Sequence, residues 1–185
     1  MKRSLKYIAS IQTGVFAIPI AKGEIVYLQS KHFDAEGKLV ETLYPDLESD
    51  NKIQKHLLQY GDVLFAAKGT KNFAVCYEEN NLPAVASTSF FVIRINYNDI
   101  LPEYLVWFLN HPSTQQFLKS KAKGTSIASI SKEVLSELEI SIPTTHKQRI
   151  IISIDQLRSK EKHIKAQLES LKERQIQQQI INVIK

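Results

Sequence analysis

The side chains able to do covalent chemistry are few, and their spacing suits little of it. Cys76 is the sole cysteine, so no internal disulfide is possible. Set in the apolar run from Phe73 to Tyr77, it reads as a small core residue rather than a nucleophile. Pro45, Asp46, Asp50 and Lys52 resemble the carboxylate and lysine pattern with which nucleases hold a metal. Three residues between the acids, however, leave no room to bring them from adjacent strands onto one ion, and acidic turns commonly do no more than solvate. His32, His56, His111, His146 and His163 are scattered, without the paired spacing of a zinc site. No Gly-rich loop ends in Gly-Lys-Ser/Thr. No strand-borne Gly-x-Gly precedes an Asn/Asp-Pro-Pro-aromatic segment. The residues therefore predict no catalytic centre, no metal and no cofactor.

The elements that would position any site divide at Pro143. A chain of 185 residues, 43% hydrophobic, supports one core and an appendage. Residues 1–143 predict a mixed α+β domain. Short β-like runs, Glu24 to Gln29, Asp62 to Ala67, Phe73 to Tyr77 and Ala84 to Ile95, are bounded by Gly, Asn or Pro. Pro102 opens a helix over PEYLVWFLN, with Tyr104, Leu105, Trp107 and Phe108 packing into the core. Ser113 and Gln116 predict a capping box before a further helix carrying Phe117 and Leu118.

Residues 144–185 predict one long helix, because Thr145 and Gln148 form a second capping box and neither Gly nor Pro follows. Ile150, Leu157, Ile164 and Leu171 recur every seven residues, with Ile154 and Leu168 between them, so a coiled-coil seam is expected to face a partner helix. Glu161 and Gln175 interrupt the seam, and Ile176, Ile180, Ile181, Val183 and Ile184 fall out of its register. Charge is divided likewise. Residues 1–145 hold 15 Lys/Arg against 15 Asp/Glu, and residues 146–185 hold 9 against 4, which is the whole net +5. A neutral globular part argues against indiscriminate polyanion binding and leaves room for a local basic groove. No run approaches the roughly 20 apolar residues of a membrane span, and Met1 to Ser10 lacks the pattern of a signal peptide. A reducing, cytoplasmic location is expected.

Five segments in order carry a family resemblance: EIVYLQSKHFDAEGKL (Glu24 to Leu39), LQYGDVLFAAKGTKNFAVCY (Leu58 to Tyr77), LPEYLVWFLN (Leu101 to Asn110), KGTSIASISKEVLSELEISIP (Lys123 to Pro143) and HKQRI (His146 to Ile150). Together the chain resembles the DNA specificity subunit of Type I restriction–modification systems, in a half-length form. Family members usually carry two recognition domains and two helices, and here there is one of each. Thr144, Thr145 and Lys147 stand where the family more often has Pro, Leu and Glu.

The resemblance implies a non-catalytic chain that reads one half of a split double-stranded DNA target. Separate methyltransferase (modification) and restriction/translocase subunits would do the chemistry. Base edges are read by side chains with donors and acceptors, and phosphates are held by Lys, Arg, Ser and Thr. At the matching positions the expected contacts are Gln29, Lys31 and His32; Lys68, Thr70, Lys71 and Asn72; and Lys121, Lys123, Thr125 and Ser126. Ser87 and Ser89 are added from the VASTSFFVI run, where alternation would let only one or two side chains face the DNA. The unpaired seam (Ile150, Ile154, Leu157, Ile164, Leu168, Leu171) predicts a homodimer. The antiparallel helices of the two-domain relatives imply a twofold axis and an inverted-repeat target. A coiled-coil interaction protein, or a decoy that binds the modification subunit without reading DNA, stays open as a second class. Sequence-selective DNA binding separates the two.

Overall fold

A computed structural model describes residues 1–34, 37–40, 42–68, 72–78, 82–122 and 129–184. The chain forms two compact units, Met1–Thr145 and His146–Lys185. In the first, the strands are β1 (Lys2–Ser4), β2 (Ala9–Thr13), β3 (Val26–Leu28), β4 (Val63–Ala66), β5 (Ala74–Cys76), β6 (Ala84–Ala86), β7 (Phe90–Ile95) and β8 (Glu139–Ser141). The helices are α1 (Asn51–Gln54), α2 (Pro102–Asn110), α3 (Pro112–Lys121) and α4 (Lys132–Ser136), with α5 (Thr145–Ile184) making up the second unit. The α+β class with one long C-terminal helix agrees with the sequence.

An antiparallel sheet in the order β2-β7-β4-β5 forms the centre. All four residues of β4 are buried, as befits a strand flanked on both edges whose run Val-Leu-Phe-Ala has no polar face. Beside this sheet, β3 and β6 pair in parallel, Val26 with Ala84 and Leu28 with Ala86. Their alternation feeds two cores. Val26, Leu28, Ala84 and Ala86 pack with Leu64, Phe73 and Phe90, whereas Ile25, Tyr27 and Val85 pack with Val15, Leu47 and Ile53. Both faces of the parallel pair are thus apolar, which accounts for the unbroken hydrophobic reading of these segments. β1 pairs antiparallel with β8, Arg3 opposite Ile140.

Two expectations need correction. Ala84 to Ile95 is not one strand: it breaks at Ser87–Ser89, where Phe90 N–H donates to the Ser87 carbonyl at 3.0 Å, and its halves join different sheets. The break is a turn closed by that backbone hydrogen bond, with Ser87 Oγ and Ser89 Oγ 2.7 Å apart, and it lacks the Gly, Pro or Asn that usually mark a turn. The cap of α3 is His111 rather than Ser113, with the His111 ring accepting from Ser113 N–H at 3.4 Å and Pro112 in the first turn. Proline's fixed φ suits the first helical position and moves the start two residues earlier. On α2, Tyr104, Leu105 and Leu109 are buried, while Trp107 is half-buried, its ring 5.4 Å from Tyr104 and 5.3 Å from His111.

Candidate nucleic-acid interface

The loops carrying most of the expected contact residues leave the sheets at one end. β3 and β6 run in parallel and finish together, with the Leu28 carbonyl accepting from Ser87 N–H at 2.8 Å. The last residue of β4, Ala66, lies opposite the first of β7, Phe90, and Phe65 lies opposite Ala74, the first residue of β5. Consequently Gln29–His32, the approaches Lys68 and Asn72, and the Ser87–Ser89 turn emerge side by side. Each is followed directly by a phenylalanine, and the three rings meet beneath them. Phe33, Phe73 and Phe90 lie 5.6, 5.8 and 6.0 Å apart, centroid to centroid, in tilted and edge-on contacts. Such contacts fix ring orientation as well as bury area, so one aromatic cluster sets the stems of three polar loops.

The described side chains in these loops fall into two groups. Lys31 and Lys68 are exposed. The others are engaged with the fold: His32 is buried and its Nδ1 accepts from Gln29 N–H at 3.3 Å across a turn of 3-10 helix. Asn72 Nδ2 donates to the Ala66 carbonyl at 2.9 Å. Ser87 is buried, and its Oγ lies 2.7 Å from Ser89 Oγ. Gln29, Asn72 and Ser89 remain half-exposed. Lys121 is exposed at the end of α3, with its Nζ 5.9 Å from the Phe117 centroid. Thr70, Lys71, Lys123, Thr125 and Ser126 lie outside the described residues.

Two contributors to this end are not apparent from the sequence. Ser129 bridges Lys68, and Ile130 N–H donates to the Ala67 carbonyl at 3.0 Å, which brings the segment after α3 back beside β4. Gly14 follows β2 so closely against the Ser87–Ser89 turn that a Cβ on it would stand 2.1 Å from the Ser87 carbonyl oxygen. Only the missing side chain permits that approach. Because Met1–Thr13 carries no strong strand signal, the glycine gave no hint of a turn.

The residues reminiscent of a nuclease hold backbone instead. Asp46 Oδ1 accepts from Tyr27 N–H at 2.7 Å, and Asp50 caps α1 by accepting from Ile53 N–H at 2.6 Å. Among the described residues no cluster of three His, Cys, Asp or Glu could hold a metal ion, and no helix is long and apolar enough to cross a membrane. Behind the loops, Arg94 makes a two-pronged ion pair with the buried Asp62, Nε to Oδ1 at 2.8 Å and Nη2 to Oδ2 at 2.7 Å, fastening β7 to the start of β4.

A sheet end with exposed lysines and half-exposed amides has the donor set for phosphates and base edges. The profile of the family described as the Type I restriction modification DNA specificity domain matches residues 18–173. The chain belongs to that family. Among specificity-domain relatives, the Type I restriction enzyme HindI specificity subunit of Haemophilus influenzae is 31% identical over 103 residues, 54% of this chain and 22% of the relative. A chain from a study of complex assembly and conformational transition of the type I R-M system superposes with a TM-score of 0.65 at 16% identity, covering 92% of this chain and 41% of that one. The S subunit from M. genitalium gives 0.60 at 14%, covering 86% and 39%. The HsdS subunit from Thermoanaerobacter tengcongensis gives 0.60 at 15%, covering 86% and 37%. At these identities the structural likeness is one of fold. The chain spans less than half the length of each of these specificity-domain relatives.

Proposed function

We propose that this chain is a DNA sequence-specificity subunit whose first unit reads one half of a bipartite target and whose helix brings a second such unit to the other half. The observation that carries this reading, beside the family, is the convergence of the Gln29–His32 segment, of Lys68 and Asn72, and of the Ser87–Ser89 turn over the Phe33, Phe73 and Phe90 cluster. A rigid base under short polar loops is what base readout needs, since a side chain displaced by an ångström loses its discrimination. Lys31 and Lys68 anchor phosphates, while Gln29, Asn72 and Ser89 stand nearest the bases. Methylation and cleavage belong to the modification and restriction/translocase subunits, which dock on the assembled chain.

α5 supplies the pairing surface. Its seam residues Ile150, Ile154, Leu157, Ile164, Leu168 and Leu171 are between 46% and 66% exposed, apolar area that a partner helix would remove from water. A second copy is the partner in this reading, antiparallel and related by a twofold axis. The test is selection from a random duplex library by the chain together with its modification subunit. An inverted repeat split by unread bases is the expected product. Two different half-sites would show that the natural partner is another half-subunit, and no selected sequence would refute the function.

A further inference from the structure

The outer surface of α5 is not uniformly charged. With Ile154 and Leu168 at heptad position a and Ile150, Leu157, Ile164 and Leu171 at d, the b and e positions flank one side of the seam and the c and g positions the other. The b and e side is mixed: Asp155 and Glu169 stand among Arg158, Lys162, Lys165 and Lys172. On the other side, every c and g position from 146 to 177 carries a hydrogen-bond donor and none carries a carboxylate. Its cations are Arg149, Lys160 and Arg174, with His146 and His163 in the same row. Between them stand the neutral donors Ser153, Gln156, Gln167, Ser170 and Gln177. All ten are exposed. The row covers about 31 residues of helix, roughly 46 Å. Lys165 on the mixed side pairs with Glu161 at 2.6 Å. Arg149, Lys160 and Arg174 make no ion pair among the described residues.

Symmetry gives this row a direction. The twofold axis of an antiparallel helix pair stands normal to the plane of the two helices, so it leaves the pair through its two flanks, one formed by both b and e rows, the other by both c and g rows. An inverted-repeat duplex has its own twofold axis through the unread central bases. In a symmetric complex the two axes coincide. One flank must therefore look toward the DNA, and a flank bearing Asp155 and Glu169 twice over is the poorer match for phosphates. We propose that the acid-free row centred on Lys160 contacts the phosphates of the unread spacer and holds it without reading sequence. This rests on the paired-site function above. Serine, glutamine, lysine and arginine together are the donor set that positions a duplex rather than discriminates bases.

The experiment compares two charge-matched triple variants of the full chain on a duplex of arbitrary sequence long enough to span the helix pair. Arg149→Gln, Lys160→Gln, Arg174→Gln removes six cations from the row in a dimer. Arg158→Gln, Lys162→Gln, Lys172→Gln removes six from the opposite flank. For the first variant the slope of log affinity against log salt should fall by about 0.9 for each phosphate no longer neutralised, up to about five. It should change little for the second. Sedimentation should show both variants still dimeric, and library selection should return the wild-type sequence preference. Equal slopes for the two variants, an unchanged slope for the first, or no wild-type binding at low salt overturns the proposal. So does a first variant that splits the dimer, or that loses the modification subunit at unchanged slope, since the row would then serve a protein interface. Failure of the function itself shows differently: the wild-type chain would select no sequence from the library, whatever its salt slope.

Discussion

Lys68 is exposed and Asn72 half-exposed, and under the proposed function their surroundings suit them to different work. Lys68 is exposed, so Lys68→Ala should weaken binding to all duplexes alike and lower the salt slope by about one, with Lys31→Ala doing the same. Slopes unchanged for both would mark them as solvated turn residues. Asn72 holds the Ala66 carbonyl, so Asn72→Ala should cost about 1 kcal/mol in urea unfolding and shift the preferred base at one position. A stability loss alone would make it a strut. Cys76 gives a pH prediction. Burial first, and then the negative charges of Glu103, Glu78 and Asp62, push its thiol up to about 12 from an ordinary 9.0. The unfolded chain loses this proton first, so the folded state should lose stability as pH rises from about 9 toward 12 and gain none from this thiol below that window. In mildly alkaline buffer iodoacetamide should label Cys76 slowly in the folded protein and quickly in urea. Fast labelling without denaturant would show the site open.

Among the elements, α5 offers the clearest test. If α5 pairs as proposed, Leu157→Glu with Ile164→Lys should dissociate the dimer in sedimentation and abolish selection of a paired site, with the far-ultraviolet circular dichroism of the first unit retained. A variant that still dimerises would exclude this seam. α5 was also the most legible element, since a seven-residue repeat and forty residues without Gly or Pro admit few alternatives. The strands β3, β4 and β5 were legible because runs such as Val63–Ala66 are buried on both faces. By contrast β1 and β8 escaped notice: three residues each, they alternate too briefly to register, and each is a strand only because the other lies beside it. The loops were found through their composition, and their convergence was not, because ring contacts among Phe33, Phe73 and Phe90 join residues up to 57 positions apart. The turn at Ser87–Ser89 was hidden by strong strand formers after it, so local propensity did not mark the place where a backbone bond from Phe90 to Ser87 closes the turn.

For the whole molecule, the proposed role, in which a site is selected by one chain and the reaction is performed by others, predicts that the purified chain transfers no methyl group and cuts no DNA, with both activities appearing when the partner subunits are added. A radiolabelled methyl-donor assay on the chain alone checks this, and incorporation above background would overturn the proposed division of labour. The pairing of β1 with β8, a two-stranded sheet of its own, also brings the two ends of the first unit together. Ile142 N–H donates to the Met1 carbonyl at 2.7 Å, so the polypeptide enters and leaves its first unit through neighbouring points. A body with adjacent ends behaves as a cassette. It can be spliced into a surface loop of an unrelated host with only a short tether at each junction, or have its ends joined and new ones opened elsewhere, while the β1–β8 ladder keeps the frame. If the first unit reads DNA as proposed, transplanting it between chains would carry its preference along and leave the scaffold that receives it intact.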